Sequence, residues 1–148
     1  MYDALSIAHY IIEYGHRKGI GISNLKLQKI LYFVQANFLV STPSHRPCFS
    51  DRIEAWNFGP VVPSVYHQYK VYGSAIIPIS LNDPLCLFYQ DIQEQDKGMI
   101  DGMVDGTANY SASQLVQLTH NQLPWKRAYR PGSNNEITNE SILQFFKD

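Results

Sequence analysis

The sequence predicts a mainly α-helical fold, in which residues 1–148 form one compact domain of about six helices with a minor β-ribbon. Two segments near the N-terminus space their apolar residues as amphipathic helices do. A segment at 52–58 alternates between apolar and polar residues, which is typical of a strand. With 148 residues, of which 45% are hydrophobic and 17% charged, the chain can bury a core without a metal or a disulfide.

The first two predicted helices carry the strongest pattern. One extends from about Asp3 to Lys18 and stops before Gly19. The other is capped by Ser23 and runs to about Val40. The core-facing stripe of the second helix consists of Leu27, Ile30, Leu31, Val34 and Phe38. We expect this helix to be central, with polar and aromatic groups on its remaining faces.

The sequence predicts short secondary-structure elements in the middle of the chain. Residues 41–50 contain two prolines and predict a surface loop. The strand at 52–58 should end at Gly59-Pro60 and form one strand of the ribbon, with residues 76–79 extended against it. Pro63 suits the first turn of a third helix that ends at Gly73.

Four further helices are predicted in the second half. A weak pattern covers 88–104, where Gly98 and Gly102 loosen the helix. Residues 111–121 begin with an S-x-x-Q capping box and should point Leu115 and Leu118 inward. A short helix starts at Pro124, and Thr138 caps the last one. The inward side chains predicted for that last helix are Ile142, Leu143 and Phe146.

Charge and hydropathy argue against several classes of function. The net charge is −1 and no basic run exceeds two residues, so we expect no nucleic-acid binding by this chain alone. No apolar stretch reaches the ~20 residues of a membrane helix and no leader pattern begins the chain, which predicts a cytoplasmic protein without a membrane partner. Cys48 and Cys86 lack CxxC spacing and are expected to be reduced thiols.

Residues with catalytic or metal-binding chemistry are sparse. His45 and Cys48 are the one His/Cys pair near ligand spacing, and no second pair accompanies them. No G-x-G-x-x-G or phosphate-loop pattern occurs. A solvated helix face explains the carboxylates of the 88–104 region, which are Asp91, Glu94, Asp96, Asp101 and Asp105. The sequence therefore predicts no catalytic residue, no metal and no cofactor.

Three segments together resemble a known bacterial family. Residues 25–35, LKLQKILYFVQ, are similar to a helix of the form L-x-K-L-Q-K-L-L-Y-x-A-Q, with Val34 where Ala is usual. Residues 53–66 are similar to E-A-W-x-x-G-P-V-x-P-x-V-Y, and residues 118–125 to L-T-H-x-x-x-P-W. The chain thus resembles the Panacea, or SocA-like, domain of bacterial toxin–antitoxin systems and mobile elements. Residues 78–110 are hard to match to that family.

This resemblance implies an antitoxin that neutralises a cognate, co-encoded toxin by direct protein contact. Some members look like adaptors that hand a toxin to a protease or its unfoldase. The family's toxins are of unrelated kinds, so the resemblance names a role and not a target. Two alternatives remain open: an enzyme or nucleotide-binding domain of a mobile element, using residues 91–105 or His45 with Cys48, and a repressor of its own operon. The oligomeric state is left open.

Eight side chains are candidates for partner contact: Lys26, Gln28, Lys29, Tyr32, Trp56, Tyr66, His120 and Trp125. For the polar residues of the central helix, the alternative is solvent exposure or helix-end bonding. Lys26 and Lys29 lie off its apolar stripe, so replacing both with Glu should leave melting nearly unchanged.

The aromatic candidates have structural alternatives as well. Trp56 and Tyr66 are expected to be held in fixed relation across the corner made by Gly59 and two prolines. A core role is favoured for Trp56 and Trp125, in which case each Trp→Ala change costs about 3–5 kcal/mol. His120 is expected to form a hydrogen bond that ties two short helices together.

Overall fold

Helices dominate the computed structural model, which describes residues 1–79 and 89–147 and confirms the predicted mainly α-helical class. A small three-stranded antiparallel sheet accompanies them. The helices of the described ranges are α1 (Ala4–Arg17), α2 (Asn24–Ser41), α3 (Pro63–Tyr69), α4 (Glu94–Thr107), α5 (Ala112–His120), α6 (Leu123–Ala128) and α7 (Asn139–Phe146). The strands are β1 (Ile53–Trp56), β2 (Gly59–Val61) and β3 (Glu136–Ile137). A 3-10 turn, Lys70–Tyr72, extends α3 as far as Gly73.

The predicted helix starts are confirmed where a side chain caps the helix. The Ser23 side chain accepts a hydrogen bond from the Lys26 amide, and Thr138 caps α7 in the same way. Ser111 and Gln114 form both hydrogen bonds of a capping box at α5. These starts depend on a few consecutive residues, which is why the sequence alone predicts them well.

The second helix, α2, is the centre of the molecule. It packs against α1, α3, α4, α5, α7 and β2, so other elements surround it on most sides. Its predicted stripe is confirmed, because Leu27, Ile30, Leu31, Val34 and Phe38 are all wholly buried. Burial of these side chains from several directions makes α2 the main source of hydrophobic stabilisation.

The ribbon is larger than predicted. Gly59 and Pro60 do not simply end a strand: they begin β2, which pairs with β1 in an antiparallel hairpin. A third strand was not predicted, and β3 pairs with the other edge of β1 through Glu136 and Ile137. A two-residue strand is too short to show the alternation by which strands are recognised.

Two packing predictions were wrong. Residues 76–79 do not lie on the ribbon: Ile76 forms an isolated bridge with Ser23, and the Ile77 amide donates to the carbonyl oxygen of Ile22 at 2.9 Å. Leu118 is 44% exposed, whereas its neighbour on α5, Leu115, is buried as expected. A nine-residue helix that packs along a single line buries fewer positions than its apolar residues suggest.

The helix predicted at 88–104 begins later, as α4 at Glu94; Phe88 and Cys86 lie outside the described residues. Its carboxylates do not form a simple solvated face. Those of Asp96, Asp101 and Asp105 accept hydrogen bonds from tyrosine hydroxyls: Tyr2 to Asp96 at 2.6 Å, Tyr10 to Asp101 at 2.6 Å and Tyr14 to Asp105 at 2.9 Å. Asp96 is 4% exposed and also pairs with Arg46 at 2.9 Å. None of the helices in the described ranges is both long enough and apolar enough to cross a bilayer.

Candidate partner-binding surface

The polar residues of α2 face inward and hold the surrounding loops. Lys26 Nζ donates to the carbonyl oxygen of Ala108 at 3.3 Å, between α4 and α5. Gln28 accepts a hydrogen bond from the Val62 amide at 2.9 Å and donates to the side chain of Asn24. Lys26 is nearly buried and Gln28 wholly so, which contradicts the alternative that they are exposed to solvent.

Lys29 lies beneath the β1–β2 turn. Its side chain is wholly buried, and Nζ donates to the carbonyl oxygen of Pro60 at 2.8 Å. Nζ also lies 5.9 Å from the ring centre of Phe58. No carboxylate of the described residues forms an ion pair with this lysine, and burial lowers the pKa of Lys29 from 10.5 to about 7. Lys29 therefore fixes the turn from the inside.

Tyr32 and Gln35 extend the same arrangement toward the far end of α2. The Tyr32 hydroxyl donates to Gln122 at 2.8 Å, in the link between α5 and α6. Gln35 Oε1 accepts from the amides of Cys48 and Phe49, and its Nε2 donates to the Phe49 carbonyl oxygen. Tyr32 and Gln35 are both buried.

Helical periodicity does not predict the burial of these polar residues. A polar stripe predicts exposure when a helix has one buried face, but α2 is surrounded on most sides. Of the predicted partner-contact residues, Lys26, Gln28, Lys29 and Tyr32 use their polar atoms on neighbouring loops of the same chain. The premise of the Lys26→Glu with Lys29→Glu prediction, that Lys29 lies off the buried side of α2, is therefore contradicted, because Lys29 is wholly buried.

Three aromatic rings cluster at the β1–β2 turn. Trp56 packs edge-to-face with Tyr66 at 5.0 Å between ring centres and with Phe58 at 5.9 Å. All three rings are half-buried, so each presents part of its surface to solvent. The indole N–H of Trp56 donates to Glu54 at 2.9 Å. The structure brings Trp56 and Tyr66, which were expected to be held in fixed relation across the corner, into direct ring contact. Trp56 is not a fully buried core residue.

An open groove of about 300 Å³ begins at this cluster. Its lining residues are Asn24, Leu25, Phe58, Tyr66, Lys70, Gly73 and Ser74. The 3-10 turn at its edge exposes Val71 by 80% and Tyr72 by 40%. We call the rings of Trp56, Phe58 and Tyr66, together with this groove, the turn surface.

A second set of rings supports the turn from the other side. Trp125 donates its indole N–H to the carbonyl oxygen of Trp56 at 2.8 Å, and the Tyr129 hydroxyl donates to the Asn57 side chain at 3.1 Å. His120 Nε2 lies 2.9 Å from the Asn57 carbonyl oxygen. The three rings stack, with centre distances of 4.1 Å and 4.6 Å.

His120 therefore differs from its prediction in one respect. Its hydrogen bond runs from α5 to the Asn57 carbonyl of the turn, and not to α6. The link between α5 and α6 is instead the stacking of His120 on Trp125. Trp125 is half-buried, like Trp56.

The residues considered for catalysis are not arranged as a reactive pair. His45 is exposed, and its Nδ1 lies 2.9 Å from the Leu39 carbonyl oxygen. Cys48 is buried, and burial raises the pKa of its thiol, which disfavours the thiolate that a nucleophile needs. Across residues 1–79 and 89–147, no three His, Cys, Asp or Glu side chains converge as a metal site would require.

Comparison with known proteins places this architecture in a family. The family model for "Antitoxin SocA-like, Panacea domain" matches residues 27–126, which extend from α2 to α6 and include the whole turn surface except Asn24 and Leu25. Antitoxin SocA of Caulobacter vibrioides (strain NA1000 / CB15N) is 35% identical over 141 residues, covering 89% of this chain and 73% of that protein. No solved structure matches the chain. The match over two thirds of the chain and the identity to Antitoxin SocA support an antitoxin role: the chain belongs to the SocA-like antitoxins with a Panacea domain.

Proposed function

We propose that this antitoxin neutralises a co-encoded toxin by direct contact, and that the toxin binds the turn surface. The supporting observation is the half-buried ring cluster of Trp56, Phe58 and Tyr66 beside an open groove of about 300 Å³. Large aromatic rings next to a concavity are the usual anchors of protein interfaces. The exposed side chains of Val71 and Tyr72 extend the apolar area at the groove edge.

The turn surface is also held in place before any partner arrives. Lys29 holds Pro60 from inside, while Trp125 and Tyr129 hold Trp56 and Asn57 from the side of α6. Rings whose backbone is already fixed lose little conformational freedom on binding. Rigid support of this kind favours a binding role for the exposed ring faces.

The first experiment uses the gene next to the one that encodes this chain. We expect its product alone to stop growth, and co-expression of the antitoxin to restore growth through a complex that survives purification. If growth returns without a complex, neutralisation by contact is contradicted. If the toxin disappears as growth returns, the finer role of an adaptor for a protease or its unfoldase is indicated.

Ser74→Arg tests the turn surface itself. Ser74 is exposed and lines the groove, so a long cationic side chain there should obstruct a partner without disturbing the core. We expect toxin affinity to fall about tenfold or more, because the long side chain would fill the groove beside the proposed anchor rings. The free energy of unfolding should change by no more than about 0.5 kcal/mol.

Ser44→Arg is the matched control. Ser44 is also exposed, but it lies in the loop between α2 and β1, outside the residues that line the groove. The same substitution there should leave affinity unchanged in isothermal titration. Equal affinities for the two variants and the unaltered chain would remove the groove from the toxin contact.

A further inference from the structure

The exposed basic residues of this chain are unevenly distributed. Lys126, Arg127 and Arg130 fall within five positions on α6 and the residues that follow it, and all three are exposed. None of them forms an ion pair with a carboxylate of the described residues. Of the other basic residues, Arg46, Arg52 and Lys97 pair with carboxylates, and the fold nearly or wholly buries Lys26 and Lys29. The remaining four are also exposed without such a pair in the described ranges, but no three of them fall within five positions: Arg17, Lys18, Lys70 and Lys147.

The basic cluster lies on a rigid support that is shared with the turn surface. Trp125 of α6 and Tyr129, the residue that follows α6, donate hydrogen bonds to Trp56 and Asn57, so the basic cluster is fixed to the β1–β2 turn. The Asn135 side chain donates to the Ala128 carbonyl oxygen and closes the C-terminal end of α6.

A groove of about 270 Å³ runs beside these cations, between α6 and α7. Its lining residues are Leu123, Pro124, Arg127, Ser141, Gln144 and Phe145. Leu123 is 44% exposed at its edge. The groove thus offers an apolar contact at a surface that Arg127 also lines, a combination that fits an apolar residue beside a carboxylate.

We infer that this basic surface of α6, comprising Lys126, Arg127, Arg130 and the adjacent groove, binds an acidic region of the toxin. The inference rests on the proposed function and names the chemistry of the partner. Unpaired cations at an interface edge attract an acidic partner and accelerate association. Arginine also forms two parallel hydrogen bonds with a carboxylate, which orients the contact.

Two alternatives explain part of the cluster. Lys126 and Arg127 lie in the last turn of α6, where cations interact favourably with the helix dipole. A nucleic acid would also attract three cations, but a chain of net charge −1 with three basic residues on one helix lacks the wider basic surface that phosphate binding uses. An acidic protein surface fits the observations better, and both alternatives are outcomes of the test.

The test reverses charge on α6 and compares it with the same change elsewhere. The variant is Lys126→Glu with Arg127→Glu, and the matched control is Arg17→Glu with Lys18→Glu, two cations at the C-terminal end of α1. Both variants are made in the full chain. Affinity for the purified product of the neighbouring gene is measured between about 0.05 and 0.5 M NaCl, a range that spans strong to weak screening.

We expect the α6 variant to bind about tenfold or more weakly at low salt and to lose most of the salt dependence shown by the unaltered chain. The α1 control should retain the affinity and the salt dependence of the unaltered chain. The melting temperatures of the α6 variant and the α1 control should be close to that of the unaltered chain. Unchanged affinity and salt dependence in the α6 variant would overturn the inference. If, in addition, the melting temperature of that variant falls, the two cations serve to stabilise the C-terminal end of α6 through the helix dipole. Loss of duplex DNA or RNA binding, with toxin binding intact, would overturn it in favour of nucleic acid.

The two proposals fail in different ways. If the unaltered antitoxin forms no complex with the toxin, the proposed function is contradicted and this inference falls with it. If the unaltered antitoxin binds and the α6 variant binds equally well, only the basic surface is removed from the interface.

Discussion

Replacing Lys29 with Glu is expected to lower the free energy of unfolding by about 3–5 kcal/mol, because it leaves a buried charge without compensation. The Lys29 side chain is wholly buried and its Nζ donates to the Pro60 carbonyl oxygen at 2.8 Å. A carboxylate there would face that acceptor without a donor. Urea unfolding followed by circular dichroism measures the loss.

Lys29→Met is the comparison that separates charge from shape. Methionine retains an unbranched apolar chain, so Lys29→Met should lower the free energy of unfolding by only about 1–3 kcal/mol. This loss comes from the Pro60 carbonyl, which is left without its donor. If Lys29→Glu unfolds at the same urea concentration as the unaltered chain, Lys29 is not buried as described.

The same lysine should make stability depend on pH. Burial lowers the pKa of Lys29 from 10.5 to about 7, so between these values the unfolded chain binds more protons than the folded one. The free energy of unfolding should therefore rise as pH increases above about 7, by at most about 1.4 kcal/mol per pH unit. Near and above pH 10 the trend should reverse, since burial raises the pKa values of Tyr10 and Tyr32. In Lys29→Met the rise between pH 7 and 9 should be largely lost.

Gly59→Ala is also expected to be strongly destabilising: it should lower the free energy of unfolding by about 3 kcal/mol or more, because it introduces backbone strain and overpacking. Gly59 has φ +103°, a backbone conformation that residues with a side chain rarely adopt. A Cβ there would lie 2.6 Å from Lys29 Cε and 2.9 Å from Thr119 Oγ1. Both neighbours are wholly buried, so neither has space to move. Thermal melting measures the effect.

Gly98→Ala is the matched control on α4. Nothing lies within 4 Å of the Cβ that it would add, and the position is exposed in the helix. Alanine should therefore stabilise the chain there by about 0.5–1 kcal/mol. Similar melting of the Gly59→Ala variant and the unaltered chain would show that the turn accommodates a side chain.

Local signals in the sequence predicted the helices well. The caps at Ser23, Ser111 and Thr138 and the buried stripe of α2 were all found, because each depends on neighbours along the chain or on one helical period. The strand β3 was missed, since a two-residue strand exists only through pairing with β1.

Prediction of the candidate site was weaker, for a physical reason. Lys29 and Gln28 lie on α2 where a polar residue normally indicates solvent, and only the surrounding elements decide that it is buried. The corner formed by Gly59 and Pro60 was recognised from its backbone restrictions, and Trp56 and Tyr66 do meet there. The basic surface of α6 was not predicted, because Lys126 and Arg127 are an ordinary pair until it is known that no carboxylate in the described ranges pairs with them.

The anchoring of loops by α2 has a consequence for how such antitoxins can diversify. The groups that α2 holds outside its own helix are largely main-chain atoms: the Ala108, Pro60 and Phe49 carbonyl oxygens and the Val62 and Cys48 amides. Every residue type supplies a carbonyl oxygen, and all except proline supply an amide hydrogen. Side chains at the exposed positions of these loops can therefore be exchanged while the loops keep their anchors, whereas Cys48, Phe49 and Val62 remain part of the buried core. Substitution at those exposed positions can therefore change the surface that the loops present, while the helical frame and its attachment points stay the same.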